Sequence, residues 1–449
     1  MIRIRRGLNV PLAGAPEQTI SDAPEVARFG LVGSDYLGLK PTIEVAEGDL
    51  VRRGQTLFTD KKNPDVRYVA PVSGKIVGVN RGEKRRFQSL AIERGGADEV
   101  DFAEYRGDVA SFPGKLVTQA LLQSGLWTAL RTRPFNKVPV PATQPHAIFV
   151  QALETQPLAA ETNVVLEGQH DAFRLGLVAL SRLTEGKVYA CHGPNFAVSR
   201  DASPDKRIEY HEFVGPHPAG LPGTHMHFLA PASPKRTNWF LHYQDVVAIG
   251  RLFLEGRLST ERVVALCGPR MKRPRLVRVP LGADLLQLCA GEVETEGVRL
   301  VSGSALFGRT VRQPEHFLAR YSYQVTALLE GYAREFLGWQ MPGLDKYSIK
   351  PIYLGTLLGA AKRFPLTTST QGSKRAMVPV ESYEQVMPLD LLPTQLLRSL
   401  IIGDTQSAQD LGCLELDEED VALCTFVCPG KYDYTTLLRE NLTRIELEG

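Results

Sequence analysis

Cysteine is scarce in this chain: 6 residues in 449 cannot build a disulfide scaffold, which points to a reducing, intracellular compartment. Long hydrophobic runs are absent as well. No stretch of 18 or more nearly uncharged apolar residues occurs, so no segment reads as a membrane-spanning helix. The opening MIRIRRGLNVPLAG has a basic start with no apolar run behind it, which argues against a signal peptide. Charge of one sign is not in excess: 52 Lys and Arg stand against 50 Asp and Glu, a net charge of +2, so no global field draws nucleic acid or an acidic partner. Neither a GxGxxG turn after a strand nor a GxxxxGK[ST] loop is present, which argues against NADH binding by this chain. GxSxG is missing too, and with it the nucleophile elbow of serine hydrolases. No repeat of solenoid period appears.

What is present is ample material for packed cores, 43% apolar and 23% charged residues, enough for about two to four domains. From Lys40 to Ile92 short alternating stretches are punctuated by Glu47-Gly48-Asp49, Arg53-Gly54 and Ser73-Gly74, which predicts a small all-β unit. Its EGDxVxxGQxL and VxAPVSGxI half-motifs resemble the barrel-sandwich hammerhead of lipoyl and biotinyl carriers. The tip Asp60-Lys61-Lys62-Asn63-Pro64-Asp65 offers lysines without a carrier's usual flanking residues, so a structural use outweighs a carrier modified at Lys61 or Lys62. From Asp101 to Leu254 the pattern becomes mixed: Lys115–Leu130 and Gln169–Leu183 have helical spacing, while HAIFVQAL and KVYACHG read as buried strands, together a partly parallel sheet. Short strands return between Glu261 and Thr310. The final stretch mixes helical segments with turns and ends acidic, 11 Asp or Glu against 3 Lys or Arg over residues 404–449, which reads as a solvated lobe.

Several clusters invite chemistry. His225 and His227, two apart, share a face if they lie on a strand, with His211 or His217 as further metal ligands; hydrogen-bonding histidines are the plainer reading. Cys191 and His192 are neighbours and on a strand would point to opposite faces. Arg270, Lys272, Arg273, Arg275 and Arg278 form a basic run without interleaved aromatics, better suited to a solvated face, a protein partner or anionic lipid than to nucleic acid. Trp127, Arg131, Phe135 and Lys137 combine aromatic and cationic character in SGLWTALRTRPFNKVP, a mixture that lines pockets for flat carbonyl-bearing ligands and equally ends helices packed on another domain. Cys424 and Cys428, followed by Pro429, match the end of a C-x2-C-x2-C-x3-C-P iron–sulfur run. The first two ligand positions hold Glu418 and Val421, and valine cannot ligate iron.

This cysteine remnant, with IRRGLNVPLAG, RTRPFNKVP, ACHGPN and THMHFL, resembles the A-subunit family of the Na+-translocating NADH:quinone oxidoreductases over essentially the whole chain. The resemblance implies a peripheral subunit on the cytoplasmic side of the bacterial inner membrane, without a spanning segment. It would belong to a respiratory-chain translocase that oxidises NADH, reduces ubiquinone and exports Na+. Its partners, the B to F subunits and the membrane-embedded B component above all, would hold FAD, FMN, riboflavin and iron–sulfur centres. This chain would bind no cofactor tightly, contribute to assembly and quinone access, and be inactive alone.

The family is similar in turn to the C subunit of the Rnf complex and to the flavin-binding hydrophilic subunit of complex I. The stretch matching their flavin loop, Ser124–Leu130, has one glycine and a tryptophan, which implies a lost phosphate cradle, and Glu418 and Val421 imply a lost cluster. The implied fold is α+β and multidomain: residues 1–100 with the barrel-sandwich hammerhead, 101–255 a degenerate flavin-type, Rossmann-like α/β domain, 256–330 a β-grasp, SLBB-like module, and 331–449 a mostly helical C-terminal domain with the degenerate cluster motif. Trp127, Arg131, Phe135 and Lys137 are the expected quinone contacts. An autonomous flavin or iron–sulfur oxidoreductase and a non-redox scaffold are the alternatives.

Overall fold

The computed structural model describes residues 1–198, 205–294, 296–333, 336–350, 352–357, 362–378 and 380–448. The α/β unit is a six-stranded sheet in the order Ile2–Arg3, Ile208–Val214, Lys187–His192, Ala147–Ala152, Asn238–His242, Arg131–Arg133. All neighbours are parallel except the last pair. The central strand Ala147–Ala152 is buried along its whole length, as a parallel strand covered on both faces must be, and its continuous apolar run records that. Helices His170–Ser181 and Tyr243–Glu255 pack on this sheet and on each other. Their approach depends on two helical glycines: a Cβ at Gly176 would lie 2.1 Å from the Val246 carbonyl oxygen, and one at Gly250 would lie 1.7 Å from that of Ala172. Gly250→Val is expected to force the helices apart and destabilise this unit by roughly 3 kcal/mol, read as faster amide exchange along both helices.

The expected long helix over Lys115–Leu130 is shorter. It runs over Gly114–Gln123, and Gly125 turns left-handed (φ 74°) into a 3-10 turn, Leu126–Ala129. That left-handed turn is where the chain meets the barrel-sandwich, since a Cβ at Gly125 would lie 2.7 Å from the Val69 side chain. The barrel-sandwich is a four-stranded sheet (Arg28–Val32, Phe87–Arg94, Gly74–Arg81, Leu50–Val51) against a three-stranded one (Pro41–Ile43, Thr56–Asp60, Asn63–Val69). Lys61 and Lys62 form the hairpin tip between Thr56–Asp60 and Asn63–Val69, as the resemblance to carrier domains implies.

A second six-stranded sheet orders Gly308–Thr310, Val298–Gly303, Gln324–Leu329, Glu261–Cys267, Arg275–Pro280 and Glu17–Asp22. The N-terminal 22 residues therefore supply an edge strand to the α/β sheet and another to this one before entering the barrel-sandwich. One apolar core runs through all three units. The C-terminal helices, among them Pro393–Ile402, Ala422–Val427 and Tyr434–Glu448, enclose a separate core around Tyr383, Leu396, Leu400, Leu438 and Leu442. Pro393 at the first turn and left-handed Gly403 (φ 72°) bound the first of these helices, each where its backbone preference suits a helix end. Helix is concentrated after residue 381; among the described residues of 331–381 the longest piece is Leu354–Leu357.

A cleft where four units meet

The carboxyl ends of the two central parallel strands carry Gln151 and His242, which face each other in register. Such ends are where open α/β sheets bind ligands. Here they form one wall of a cleft of about 310 Å³. The barrel-sandwich adds Asp35 from the loop after Val32, the segment leading into strand Gln324–Leu329 adds Tyr321 and Tyr323, and the C-terminal lobe adds Glu418 and Glu419.

The polar groups of this wall are fixed by one another. Glu154 accepts from Gln151 Nε2 at 2.9 Å and pairs with His242 Nε2 at 3.0 Å. His242 Nδ1 accepts from the Gln244 amide at 3.3 Å, so the ring proton sits on Nε2 and points to Glu154. Burial lowers the imidazole below its ordinary value, against the pull of Glu154. The ring stacks on Tyr323 at 3.5 Å, whose hydroxyl donates to Asp245 at 2.7 Å. Asp245 is buried, yet Arg320 and Arg262 outweigh that burial and hold it below the usual carboxylate range. Asp35 is the opposite case: burial lifts it to about 6 although Arg309 lies 3.5 Å away.

Arg131 crosses the cleft floor. Its guanidinium lies between the rings of Phe240 (4.4 Å) and Tyr321 (4.3 Å); Nη1 donates to Asn136 at 3.3 Å, while Nε has no acceptor among the described residues. The other three expected quinone contacts lie elsewhere. Trp127 is 1% exposed, edge-on to Trp239 at 5.4 Å, and its Nε1 donates to the Pro139 carbonyl at 2.8 Å. It belongs to the core and lies in the buried 3-10 turn Leu126–Ala129. Phe135 and Lys137 line a separate cavity beside it. Lys137 is paired with Glu446 at 2.5 Å, and Phe135 packs on the C-terminal core. The four residues therefore share no single cavity, because the chain turns at Pro134 and Phe135 (φ 76°) between the two.

Within the acidic end, the run 417–420 is drawn into the protein, while Asp410, Asp433, Glu440, Glu446 and Glu448 stay exposed. Asp417 and Asp420 are buried, and Arg133, 0% exposed, reaches them from the edge strand of the α/β sheet, donating to Asp420 at 2.6 Å. Arg439 binds Glu418 at 2.6 Å and Asp417 at 2.8 Å. Of the remaining cluster positions, Val421 and Cys424 are core residues, and burial pushes the Cys424 thiol well up. Burial also pushes the Cys428 thiol up, but the hydroxyls of Tyr383 (3.2 Å) and Tyr434 (3.5 Å) outweigh it and leave the thiol below its ordinary value. Among the described residues no group of three or more His, Cys, Asp or Glu side chains is placed to hold a metal ion.

The histidine pair also differs from expectation. His225 and His227 sit on a helix, Pro222–Leu229, not a strand, so they face different ways. His225 pairs with the Ala219 carbonyl at 3.0 Å. His227 accepts the Asp390 amide at Nε2, and its Nδ1 proton points to Glu415 at 2.8 Å, a latch between helix and lobe. In the basic run, Arg270 pairs with Glu294, and Arg273 and Arg275 with Glu292. Sequence reading missed His242, Glu154, Tyr321 and Tyr323. The first two had a signal, since they follow the apolar runs of parallel strands; the tyrosines had none.

Three family models match in chain order: "NqrA N-terminal barrel-sandwich hybrid domain" over residues 2–95, "NqrA second alpha/beta domain" over 113–258, and "NQRA C-terminal domain" over 263–313. Among curated proteins, the A subunit of the Na(+)-translocating NADH-quinone reductase of Serratia proteamaculans is 52% identical over 452 residues, covering 100% of both chains. The protein of the same name from Hahella chejuensis is 52% identical and that from Cellvibrio japonicus 53%, each over 450 residues and 100% of both chains.

Proposed function

Since the chain belongs to the A-subunit family of the Na+-translocating NADH:quinone reductases, we propose that the cleft at the carboxyl ends of its parallel strands receives the quinone head group. The chain is one component of a multi-subunit translocase coupling NADH oxidation by ubiquinone to Na+ transport, and it takes part in that reaction within the assembly. In this reading it sits peripherally on the cytoplasmic face, docks on the membrane-embedded B component, and leaves flavins and iron–sulfur centres to its partners. No helix among the described residues is long and apolar enough to cross a membrane.

Arg131 carries the proposal. A guanidinium clamped between two rings on the lining of a cleft is preorganised to donate to a carbonyl oxygen and to stabilise charge growing there on reduction. Tyr321 and Phe240 make the surrounding surface flat and apolar, as a planar ring requires. Trp127, Phe135 and Lys137 act through packing: Trp127 lies in the buried 3-10 turn, and the other two fasten the lobe that closes the cleft.

Arg131→Met is expected to weaken binding of a short-chain ubiquinone to the full chain by about tenfold or more, the worth of one charge-assisted hydrogen bond. Trp127→Phe should leave the affinity within about twofold while lowering stability. Titration calorimetry on the three proteins decides it. Equal affinity in Arg131→Met, or no saturable binding at all, overturns the proposal and leaves a scaffold role.

A further inference from the structure

On the barrel-sandwich, a cavity of about 590 Å³ that borders the cleft at Ser34 and Leu37 is lined by Lys40, Lys61, Arg81, Lys84, Arg85 and Arg86. No carboxylate is among its lining residues, and among the described residues none of the six side chains has a carboxylate oxygen within 4.0 Å of its charged nitrogens. This is unusual for a chain whose overall charge is only +2. The contrast with the Arg270 run is direct, because there Glu292 and Glu294 supply counter-charges. Of the acids in the two turns that reach the cavity, Glu83 is exposed outside the lining. Asp60 is occupied: one oxygen takes the amides of Lys40 (3.3 Å) and Lys62 (3.2 Å), the other the Asn63 side chain (3.2 Å).

The fold imposes this gathering of like charge. The tip Lys61-Lys62 and the loop 82–86 belong to different sheets of the barrel-sandwich, yet both reach the same cavity. Loop 82–86 carries two consecutive left-handed residues, Lys84 (φ 52°) and Arg85 (φ 60°), a conformation that side chains other than Asn, Asp and Gly rarely adopt. Arg81 ties the loop down through the Arg85 carbonyl at 3.4 Å. Behind the cations the floor is apolar, formed by Tyr36 and Phe87, each 6% exposed. A concave site of one sign over a low-dielectric floor focuses its field outward.

We propose that this cavity binds a ligand bearing phosphate groups. Arginine forks match phosphate oxygens two at a time, lysines add point charge, and a multiply charged anion relieves the mutual repulsion of six cations. The aromatic floor is buried and offers no face to a base, so recognition is of the phosphates and not of a nucleoside or a single-stranded nucleic acid. Two sources share this chemistry: a soluble diphosphate and the head groups of an anionic bilayer.

The test uses the full chain, inorganic pyrophosphate by calorimetry at low salt and at about 150 mM, and sedimentation with phosphatidylglycerol vesicles. The variant is Lys84→Asn with Arg85→Asn and Arg86→Gln; asparagine keeps the left-handed backbone while removing charge. Arg270→Gln with Lys272→Gln is the control. Saturable pyrophosphate binding, weakened at least tenfold by the loop variant and unchanged in the control, supports the proposal with a soluble ligand. Vesicle binding that pyrophosphate displaces and the loop variant loses supports it with lipid as the source. Binding that the loop variant leaves unchanged, vesicle association that pyrophosphate does not displace, or no binding of either probe overturns it.

Discussion

Arg133→Met is expected to unfasten the C-terminal helical lobe, at a cost of about 3–5 kcal/mol, the range for removing one partner of a buried ion pair. Arg133 has no solvent exposure. Its Nη1 donates to Asp420 at 2.6 Å and to the Glu415 carbonyl at 2.9 Å, and its Nη2 lies 3.8 Å from Asp417 and 3.9 Å from Glu419. Methionine fills similar space but leaves the buried carboxylates with only Arg439 and Arg131 as facing cations. The lobe has its own apolar core, so its helices should persist while the junction opens. Amide exchange across residues 413–427 and protease cutting between lobe and α/β unit measure this. Full protection at that junction in Arg133→Met would refute it. Because Glu418 and Glu419 line the cleft, the same variant is expected to lose quinone affinity if the cleft is the quinone site.

The second large effect is a pH dependence of the same junction. Burial pushes Glu419 up to about 8, although Arg131 pulls it down, and Glu419 Oε1 has no hydrogen-bond partner among the described residues. Burial lifts Glu418 to about 7, helped by Asp417 and opposed by Arg439. Asp417 goes the other way: against its burial, the bond from Glu418 and the charges of Arg133 and Arg439 hold it below the ordinary range. Of the two, Glu418 therefore takes up a proton more readily than Asp417. The charged groups facing this cluster are Arg131, Arg133, Arg439 and Asp420.

For an acid whose folded value lies above its unfolded value of 4.5, the folded state binds the extra proton in between. Stability is then greatest below about 4.5 as far as Glu418 and Glu419 are concerned, and falls as pH rises towards 8. The expected loss of lobe docking between about pH 5 and pH 8 is on the order of a few kcal/mol. Amide exchange corrected for its intrinsic pH dependence reads it. Glu419→Gln should flatten the profile, since it fixes the neutral form, and should raise stability at pH 8. An unchanged slope in that variant would exclude Glu419 as the source.

These predictions rest on contacts that no local pattern encodes. Ala147–Ala152 and Lys187–His192 are legible as buried strands because a parallel strand covered on both faces must be apolar throughout. The Lys61–Lys62 tip is legible through the resemblance of its flanking half-motifs to carrier domains. Pro222–Leu229 is read wrongly: GTHMHFL alternates on paper, but Pro222 starts a helix whose far side takes the lobe through His227 and Glu415. The acidic run 417–420 looks like a solvated surface because the partner that buries it, Arg133, is some 280 residues earlier in the chain.

The candidate site divides the same way. Arg131 is visible from the sequence as a cation among aromatics, but the rings that clamp it, Phe240 and Tyr321, come from strand Asn238–His242 and from the segment before strand Gln324–Leu329. Trp127 looks like a ligand contact and is a core residue, since an indole packed inside a turn and one lining a pocket have the same sequence signature.

Family membership is legible in the linear chain through its resemblance to known motifs, and the small β units, the buried strands and the broken cysteine motif through residue type and near-neighbour spacing. Those are properties of short stretches of sequence, which motif, period and glycine punctuation express directly. Three-dimensional packing alone sets which charges are buried, which cations remain unpaired around the barrel-sandwich cavity, and that four units close one cleft. Burial and field at a side chain are set by groups hundreds of residues away, and a linear pattern carries no distance between them.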